Sequence, residues 1–295
     1  MHDKDSWETI KNNELSIAID IQYGRFGNNY STLKKILIIA LYFRIKKIFL
    51  KIRTESMFKF NSKYITIVDK IDNINKKFVI APNNGDKTIF FSNVSGFVGR
   101  DNINEQIAKK IISDQLNINK SLVLDENILV IHIRGGDIFN ETRPVHHLYR
   151  QPPLVWYLAC ILSHKQRHSN CTVMIISEDR KNPCVNGVIR WCKSVGIRCI
   201  AKINSLEKDY TFLMNARALV VSNGTFASPC LDLNKNLTLV YRFNFNWCKE
   251  FTYIADREWK NTPEQRKLML DMPLEHIEFP DDLYELAKSF HIFKK

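Results

Sequence analysis

Glycine is scarce in this chain of 295 residues, with only 10 present, about half of the usual share of roughly 7%. A collagen-like chain is therefore excluded. Hydrophobic residues make up 45% and charged residues 25% of the chain, which are ordinary globular values and exclude disorder or coiled coil as the main state. Because glycines are few, a cluster of them indicates a local backbone requirement, and five of the ten lie in three short motifs.

Long apolar runs and paired metal ligands are also missing. No window reaches the roughly 18 apolar residues of a spanning helix, the start has no apolar signal segment, and no Cys-x-x-Cys pair occurs. We therefore expect no transmembrane segment and no metal site. Seven cysteines, an odd number, favour free thiols in a reducing compartment such as the cytoplasm. The alternative is a partly disulfide-bonded secreted domain, or a lumenal domain of the secretory pathway.

The charge balance favours an anionic partner. The chain has 43 lysines and arginines against 31 acidic residues, a formal net charge of +12. A positive field attracts nucleic acids, membranes and phosphate-bearing small molecules alike. Because the basic residues are spread over nearly the whole length, we expect no nucleic-acid partner and favour a small phosphorylated substrate.

Apolar runs and helical periodicities alternate along the chain, which predicts an α/β fold with parallel sheets covered on both faces. A first domain, 1–122, opens with a strand at 15–21, a glycine turn and an apolar helix. A second domain, 123–245, repeats the alternation, and a helical tail, 246–295, is predicted to pack back across the domains. The predicted strands of the second domain are 128–133, 172–177, 197–201, 219–222 and 238–241, and its helices are 153–164, 183–195, 206–216 and 226–233.

Four polar motifs lie at the ends of predicted strands or directly after them. They are Gly24-Arg25-Phe26-Gly27-Asn28, His132-Ile133-Arg134-Gly135-Gly136-Asp137, Glu178-Asp179 and Ser222-Asn223-Gly224-Thr225-Phe226. In open parallel sheets, ligands bind at the carboxyl ends of the strands. The sequence therefore predicts a binding site built from these motifs.

Arg134 is the most informative residue of the four motifs. It ends a strand that should be buried, and a buried arginine without a partner costs several kcal/mol. The partner is either a bound phosphate or a carboxylate such as Asp137. His132, on the same strand, is either a base or a histidine satisfied within the core.

The other motifs each allow two interpretations. Gly24 and Gly27 either expose main-chain N–H groups to a ligand at a helix start or form an ordinary turn. Ser222 and Thr225 either hold a phosphate or cap the next helix. Glu178 and Asp179 bind a sugar hydroxyl or cap a helix.

Taken together, the segments 16–50 and 128–242 resemble the fucosyltransferase superfamily. The first glycine motif and its apolar helix resemble the opening of protein O-fucosyltransferases. The segment from His132 to Asp137 is similar to the arginine motif shared by α-1,2-, α-1,6- and O-fucosyltransferases, although Gly135 stands where some members have a second arginine. The resemblance implies a GT-B fold of two Rossmann-like domains facing a cleft, and inverting, metal-independent transfer.

The resemblance also implies roles for individual residues. Arg134 would grip the donor pyrophosphate, Asn28 would lie beside the transferred sugar, and Ser222, Thr225 and Phe226 would hold phosphate and base. We take Asp137 as the acceptor base ahead of Glu178 and Asp179. The remaining substrate-binding candidates are Gly24, Arg25, Phe26, Gly27, His132, Gly135, Gly136 and Gly224.

The expected donor is GDP-fucose and the expected acceptor is a glycan or glycoprotein hydroxyl, with no cofactor besides the donor. One alternative is a related transferase using another nucleotide sugar, such as UDP-xylose or a UDP-hexose. The other alternative is a carbohydrate- or phosphate-binding protein of the same fold that does not catalyse transfer.

Overall fold

The structure, a computed structural model, describes residues 16–21, 26–42, 44–45, 47–52, 57–58, 65–67, 78–80, 102–140, 149, 151–243 and 259–273. The chain divides into two compact units, residues 1–118 and 119–295. Both have α/β architecture, as the alternating pattern predicts.

The first unit contains a four-stranded parallel sheet. Its strands are β1 (Ser16–Ile21), β2 (Lys47–Ile52), β3 (Ile65–Ile67) and β4 (Phe78–Ile80), in the order β3-β2-β1-β4. Helix α1 (Phe26–Tyr42) packs against α2 (Asn102–Gln115). Leu33, Ile36 and Leu37 recur at helical spacing on α1 and are buried, which explains why this segment forms a helix.

The second unit contains a five-stranded parallel sheet with strand order β7-β6-β5-β8-β9. The strands are β5 (Ile128–His132), β6 (Thr172–Ile176), β7 (Arg198–Lys202), β8 (Ala218–Val221) and β9 (Leu239–Arg242). The helices are α3 (Leu154–Arg167), α4 (Pro183–Ser194), α5 (Leu206–Met214), α6 (Ser228–Leu233) and α7 (Pro263–Asp271), with a 3₁₀ turn at Gly136–Phe139.

This strand order places a topological switch point between β5 and β8. From β5 the chain continues outward to β6 and β7, and from β8 it continues in the opposite direction to β9. Ile131 of β5 lies opposite Val220 of β8 in the register, so the two strands end side by side. Ligands of doubly wound sheets bind in the crevice at such a reversal.

The core of the second unit lies between the sheet and its helices and is built from apolar side chains of β5, β6, α3 and α4. The segment 259–273 joins this core, since the Trp259 indole N–H donates to the Ile138 carbonyl at 2.8 Å. Helix α7 lies within the predicted helical tail, and Thr262 and Gln265 form a capping box at its start. The rest of that tail, 246–258 and 274–295, lies outside the described residues.

Helix boundaries correct two expectations. The helix predicted from Phe226 begins at Ser228, because Pro229 occupies its first turn. Its N-cap is Ala227, without a side-chain hydrogen bond, so neither Ser222 nor Thr225 caps it. Helix α4 is capped by Asn182, and Glu178 and Asp179 therefore do not cap it.

Two sequence expectations concern cysteines and membranes. The six cysteines among the described residues are all free thiols, and five of them are buried. In the same part of the chain, no helix combines the length and apolar character needed to cross a bilayer.

Candidate functional site

Arg134 lies just beyond β5, at the switch point, and is only 7% exposed. Its guanidinium carbon is 4.2 Å from the ring centroid of Tyr149, a cation–π contact. Among the described residues, Asp137 is the carboxylate paired with it, and its Oδ1 is 3.6 Å from Arg134 Nη2, beyond the 2.7–2.9 Å of a strong charge-assisted hydrogen bond. Within the described residues, Arg134 Nε donates to no acceptor. The described residues therefore compensate the buried charge only in part.

Asn182 fixes the backbone at Arg134. Its side-chain Nδ2 donates to the Arg134 carbonyl at 2.9 Å, while its Oδ1 accepts from the Cys184 N–H at 2.9 Å. The first turn of α4 thus holds the end of β5 in place, and one amide side chain serves both elements. The signal in the sequence was the Asn-Pro pair before an amphipathic helix, which marks a helix start.

Asp179 shapes the double-glycine turn after Arg134. Its Oδ2 accepts from the Gly136 N–H at 3.2 Å and its Oδ1 accepts from the Lys181 N–H at 3.0 Å. A Cβ at Gly135 would overlap Asp179 Oδ1, and Gly136 has φ +72°, so a side chain at either position is disfavoured. Both carboxylate oxygens are engaged, which gives Asp179 a structural role.

The loop after β8 packs against the end of β5. The Ser222 hydroxyl is hydrogen-bonded to His132 Nδ1 at 2.8 Å, and the His132 ring stacks on Phe226 with centroids 4.6 Å apart and planes at 19°. The Tyr210 hydroxyl donates to the Phe226 carbonyl. His132 is thus a satisfied, buried histidine that positions the loop.

Gly224 brings this loop against Arg134. A Cβ built on Gly224 would be 2.7 Å from Arg134 Nη1, and Gly224 has φ +123°, a conformation available essentially to glycine alone. The backbone conformation therefore requires the glycine predicted from sequence, and a side chain there would also displace the Arg134 guanidinium.

A cavity of 290 Å³ opens beside this contact, at the carboxyl ends of β8 and β9. It is lined by Val221, Ser222, Asn223, Gly224, Ala227, Ser228, Leu231, Arg242 and Phe243. Arg134 does not line the cavity itself but lies against Gly224, which forms part of the cavity wall. Of the lining residues, Ser222 and Gly224 belong to the predicted site, whereas Arg242 does not.

Asp209 is a carboxylate that none of the four sequence motifs includes. It lies on α5 and is buried, and its Oδ1 accepts from Asn204 Nδ2 at 3.1 Å. Burial raises the pKa of Asp209 to about 6, and the charge of Glu178 adds to this effect against the hydrogen bond from Asn204. An acidic residue in the first turn of a helix is common in sequence, so no pattern distinguished it.

The structure therefore brings most second-unit candidates together around Arg134, while Glu178 and Thr225 are exposed at the surface. In the first unit, Phe26 and Gly27 are buried in the first turn of α1 and Asn28 is exposed there. Gly24 and Arg25 lie outside the described residues.

Across the described part of the chain, no three His, Cys, Asp or Glu side chains are grouped to hold a metal ion. Comparisons of the chain with protein-family models, with curated proteins and with solved structures found no match.

Proposed function

We propose that the chain is an inverting glycosyltransferase that moves a sugar from a nucleoside diphosphate donor to a hydroxyl of a glycan or a protein. The observation that carries the proposal is the buried guanidinium of Arg134 at the switch point, which the described residues compensate only in part and which lies against Gly224 in the wall of the cavity at the ends of β8 and β9. A guanidinium in this state favours a bound anion. A diphosphate supplies that anion, and it becomes more negative as the glycosidic bond to it breaks.

The size of the cavity supports a ligand that extends beyond it. At 290 Å³ it is at the lower limit of small-molecule sites, which span about 300–1,000 Å³. It accommodates one part of a nucleotide sugar, and its mixed polar and apolar lining suits a nucleoside. The diphosphate would then lie at Arg134, across Gly224.

The reaction transfers one bond and one proton. The acceptor oxygen attacks the anomeric carbon, the bond from that carbon to the phosphate oxygen breaks, and its electron pair leaves with the diphosphate. Arg134 stabilises the charge that develops there. The acceptor proton passes to a carboxylate, for which we propose Asp137. Because arginine supplies the compensating charge, the transfer needs no divalent cation.

The finer parts of the proposal rest on the resemblance of the motifs to fucosyltransferases. They are the GT-B arrangement of two Rossmann-like domains, GDP-fucose as donor, and the place of Asn28 beside the transferred sugar. UDP-xylose and UDP-hexoses are the alternative donors. A carbohydrate- or phosphate-binding protein without catalysis is the alternative function.

A panel of nucleotide sugars tests the proposal. Thermal stabilisation and donor hydrolysis are measured with GDP-fucose, UDP-xylose and UDP-glucose in the presence of EDTA, because binding is expected to need no metal. We expect one donor to raise the melting temperature and to be turned over. If no nucleoside diphosphate sugar stabilises the protein, the transferase proposal is wrong. Stabilisation without hydrolysis or transfer to any acceptor supports the non-catalytic alternative.

The substitution Arg134→Ala tests the carrying observation. Removing one preorganised charged donor lowers the rate by about 10²-fold or more, and the melting temperature should stay near that of the wild type. Arg217→Ala is the matched control, since Arg217 is half-exposed and its Nη1 is 3.5 Å from Glu126, a surface pair of little energetic effect. If Arg134→Ala unfolds the protein but leaves nucleotide affinity per folded molecule unchanged, the arginine is structural.

A further inference from the structure

A second arginine lines the same cavity. Arg242 is the last residue of β9 and lies opposite Val221 of β8 in the register. Its neighbours Tyr241 and Phe243 are buried, whereas the Arg242 side chain is exposed and contributes to the cavity wall. Among the described residues, no acceptor or carboxylate pairs with it.

The charge around the cavity is one-sided. None of the residues that line it is acidic, and Arg242 is the charged one among them. Arg134 lies against Gly224 of the cavity wall, with the exposed Asp137 carboxylate 3.6 Å from its guanidinium, so two guanidinium groups lie close to the β8 loop. A pair of cations of this kind favours a ligand that has more than one negative charge.

The spacing of the two arginines suits a diphosphate. They follow β5 and end β9, which flank β8 in the sheet. Neighbouring strands are about 4.8 Å apart, so the two strand ends are separated by about 10 Å. Two arginine side chains from strand ends at that separation are long enough to reach one group above the end of β8, where the cavity opens.

We propose that Arg242 is a second cationic ligand of the donor diphosphate, which it binds together with Arg134. This inference rests on the proposed function, because it assigns a further ligand to the same donor. It gives the site a guanidinium from each side of the β8 loop.

The experiment is calorimetric titration of the full chain with GDP and UDP, and with guanosine and uridine. Arg242→Gln should lower the affinity for the preferred diphosphate by about 10-fold or more, as expected for a charge-assisted hydrogen bond. Affinity for the matching nucleoside should stay nearly unchanged, and Arg242→Lys should restore part of the loss. Arg217→Gln is the control. It removes the same charge, but Arg217 precedes β8 and so lies at the amino ends of the strands, away from the cavity.

The outcomes separate this inference from the proposed function. If the wild type binds a diphosphate and Arg242→Gln behaves like Arg217→Gln, the role of Arg242 is wrong and the proposed function stands. If Arg242→Gln weakens nucleoside and diphosphate equally, Arg242 contacts the nucleoside, which also overturns the inference. If the wild type binds neither GDP nor UDP, the proposed function fails, and a diphosphate ligand for Arg242 fails with it.

Discussion

Asp137 is the residue to which the mechanism assigns the acceptor proton. Its side chain is 58% exposed and its Oδ1 is 3.6 Å from Arg134 Nη2, so it is accessible to a substrate. Asp137→Asn keeps the shape of the side chain but removes the proton acceptor. We expect the transfer rate to fall by at least about 10-fold, which corresponds to about 1.4 kcal/mol in the activation free energy. Steady-state kinetics with saturating donor measure this.

A smaller loss of transfer rate in Asp137→Asn would change the role assigned to Asp137. If Asp137→Asn retains more than about a tenth of the wild-type rate, Asp137 only orients Arg134. The base must then be sought elsewhere. Asp179 is a poor substitute because both of its oxygens accept backbone N–H groups, which leaves the exposed Glu178 and the buried Asp209 as the next candidates.

Gly224 provides a test of the contact between the β8 loop and Arg134. In Gly224→Ala the new Cβ would be 2.7 Å from Arg134 Nη1, so the guanidinium must move. We expect nucleotide affinity to fall by about 10-fold or more, together with a loss of about 1–3 kcal/mol in the free energy of unfolding. Titration calorimetry and denaturant unfolding measure the two effects.

Gly196→Ala is the control for backbone strain. Gly196 also has positive φ, +71°, but no atom lies within 4 Å of its added Cβ. This variant should lose stability and keep nucleotide affinity. Equal affinity losses in both variants would show that strain, and not displacement of Arg134, causes the effect.

At the level of single elements, α3 contains a buried histidine. His164 lies in the last turn of α3 and is fully buried, with the ring of His168 4.6 Å away between centroids. Burial, with the charge of His168 as the next cause, lowers the pKa of His164 from 6.5 to about 4. The neutral imidazole is therefore the form that the folded helix accommodates.

The sign of the resulting pH effect follows from proton uptake. Between about pH 6.5 and 4 the unfolded chain binds a proton at His164 and the folded chain does not, so stability falls as the pH falls. His164→Leu should therefore gain stability relative to the wild type across this window. The gain has a slope of at most about 1.4 kcal/mol per pH unit, the limit for one proton. Urea unfolding at several pH values measures it.

The comparison must be made as a difference between variant and wild type. Asp209 has a raised folded pKa of about 6, so its contribution is present at low pH and is lost as the pH rises toward 6, opposite in sign to that of His164. A His164→Leu difference that is constant from pH 6.5 to 4 would contradict the assignment to His164.

For the molecule as a whole, periodicity predicts the α/β architecture because buried strands and amphipathic helices have distinct spacings. The strand predicted at 172–177 is observed at Thr172–Ile176, and the helix predicted at 183–195 at Pro183–Ser194. Pro229 in the first turn sets the start of α6 locally. The apolar Phe226 fits the helical pattern but stacks on His132 instead, a tertiary contact that the local sequence does not show.

The candidate site also contains residues that the sequence predicts and residues that it does not. Arg134 and Gly224 are predictable because each follows an apolar strand and violates the local pattern. Arg242 gives the same signal, a charged residue at the end of an apolar strand. Tyr149 gives no local signal, since its contact with Arg134 joins residues that are distant from each other in the sequence.

The parallel sheet of the second unit also places the residue expected to set stability in acid and the residues proposed to bind the donor at opposite ends of its strands. Arg134, Gly224 and Arg242 lie at the carboxyl edge, whereas His164 and Arg217 lie at the amino edge, because α3 ends before β6 begins and Arg217 precedes β8. A strand of five residues extends about 16 Å, farther than the 7–10 Å beyond which mutational effects usually add. Acid tolerance and the proposed affinity for a donor should therefore be independently adjustable, and a dye or tether attached at the amino ends of the strands would lie at the end opposite to the proposed site.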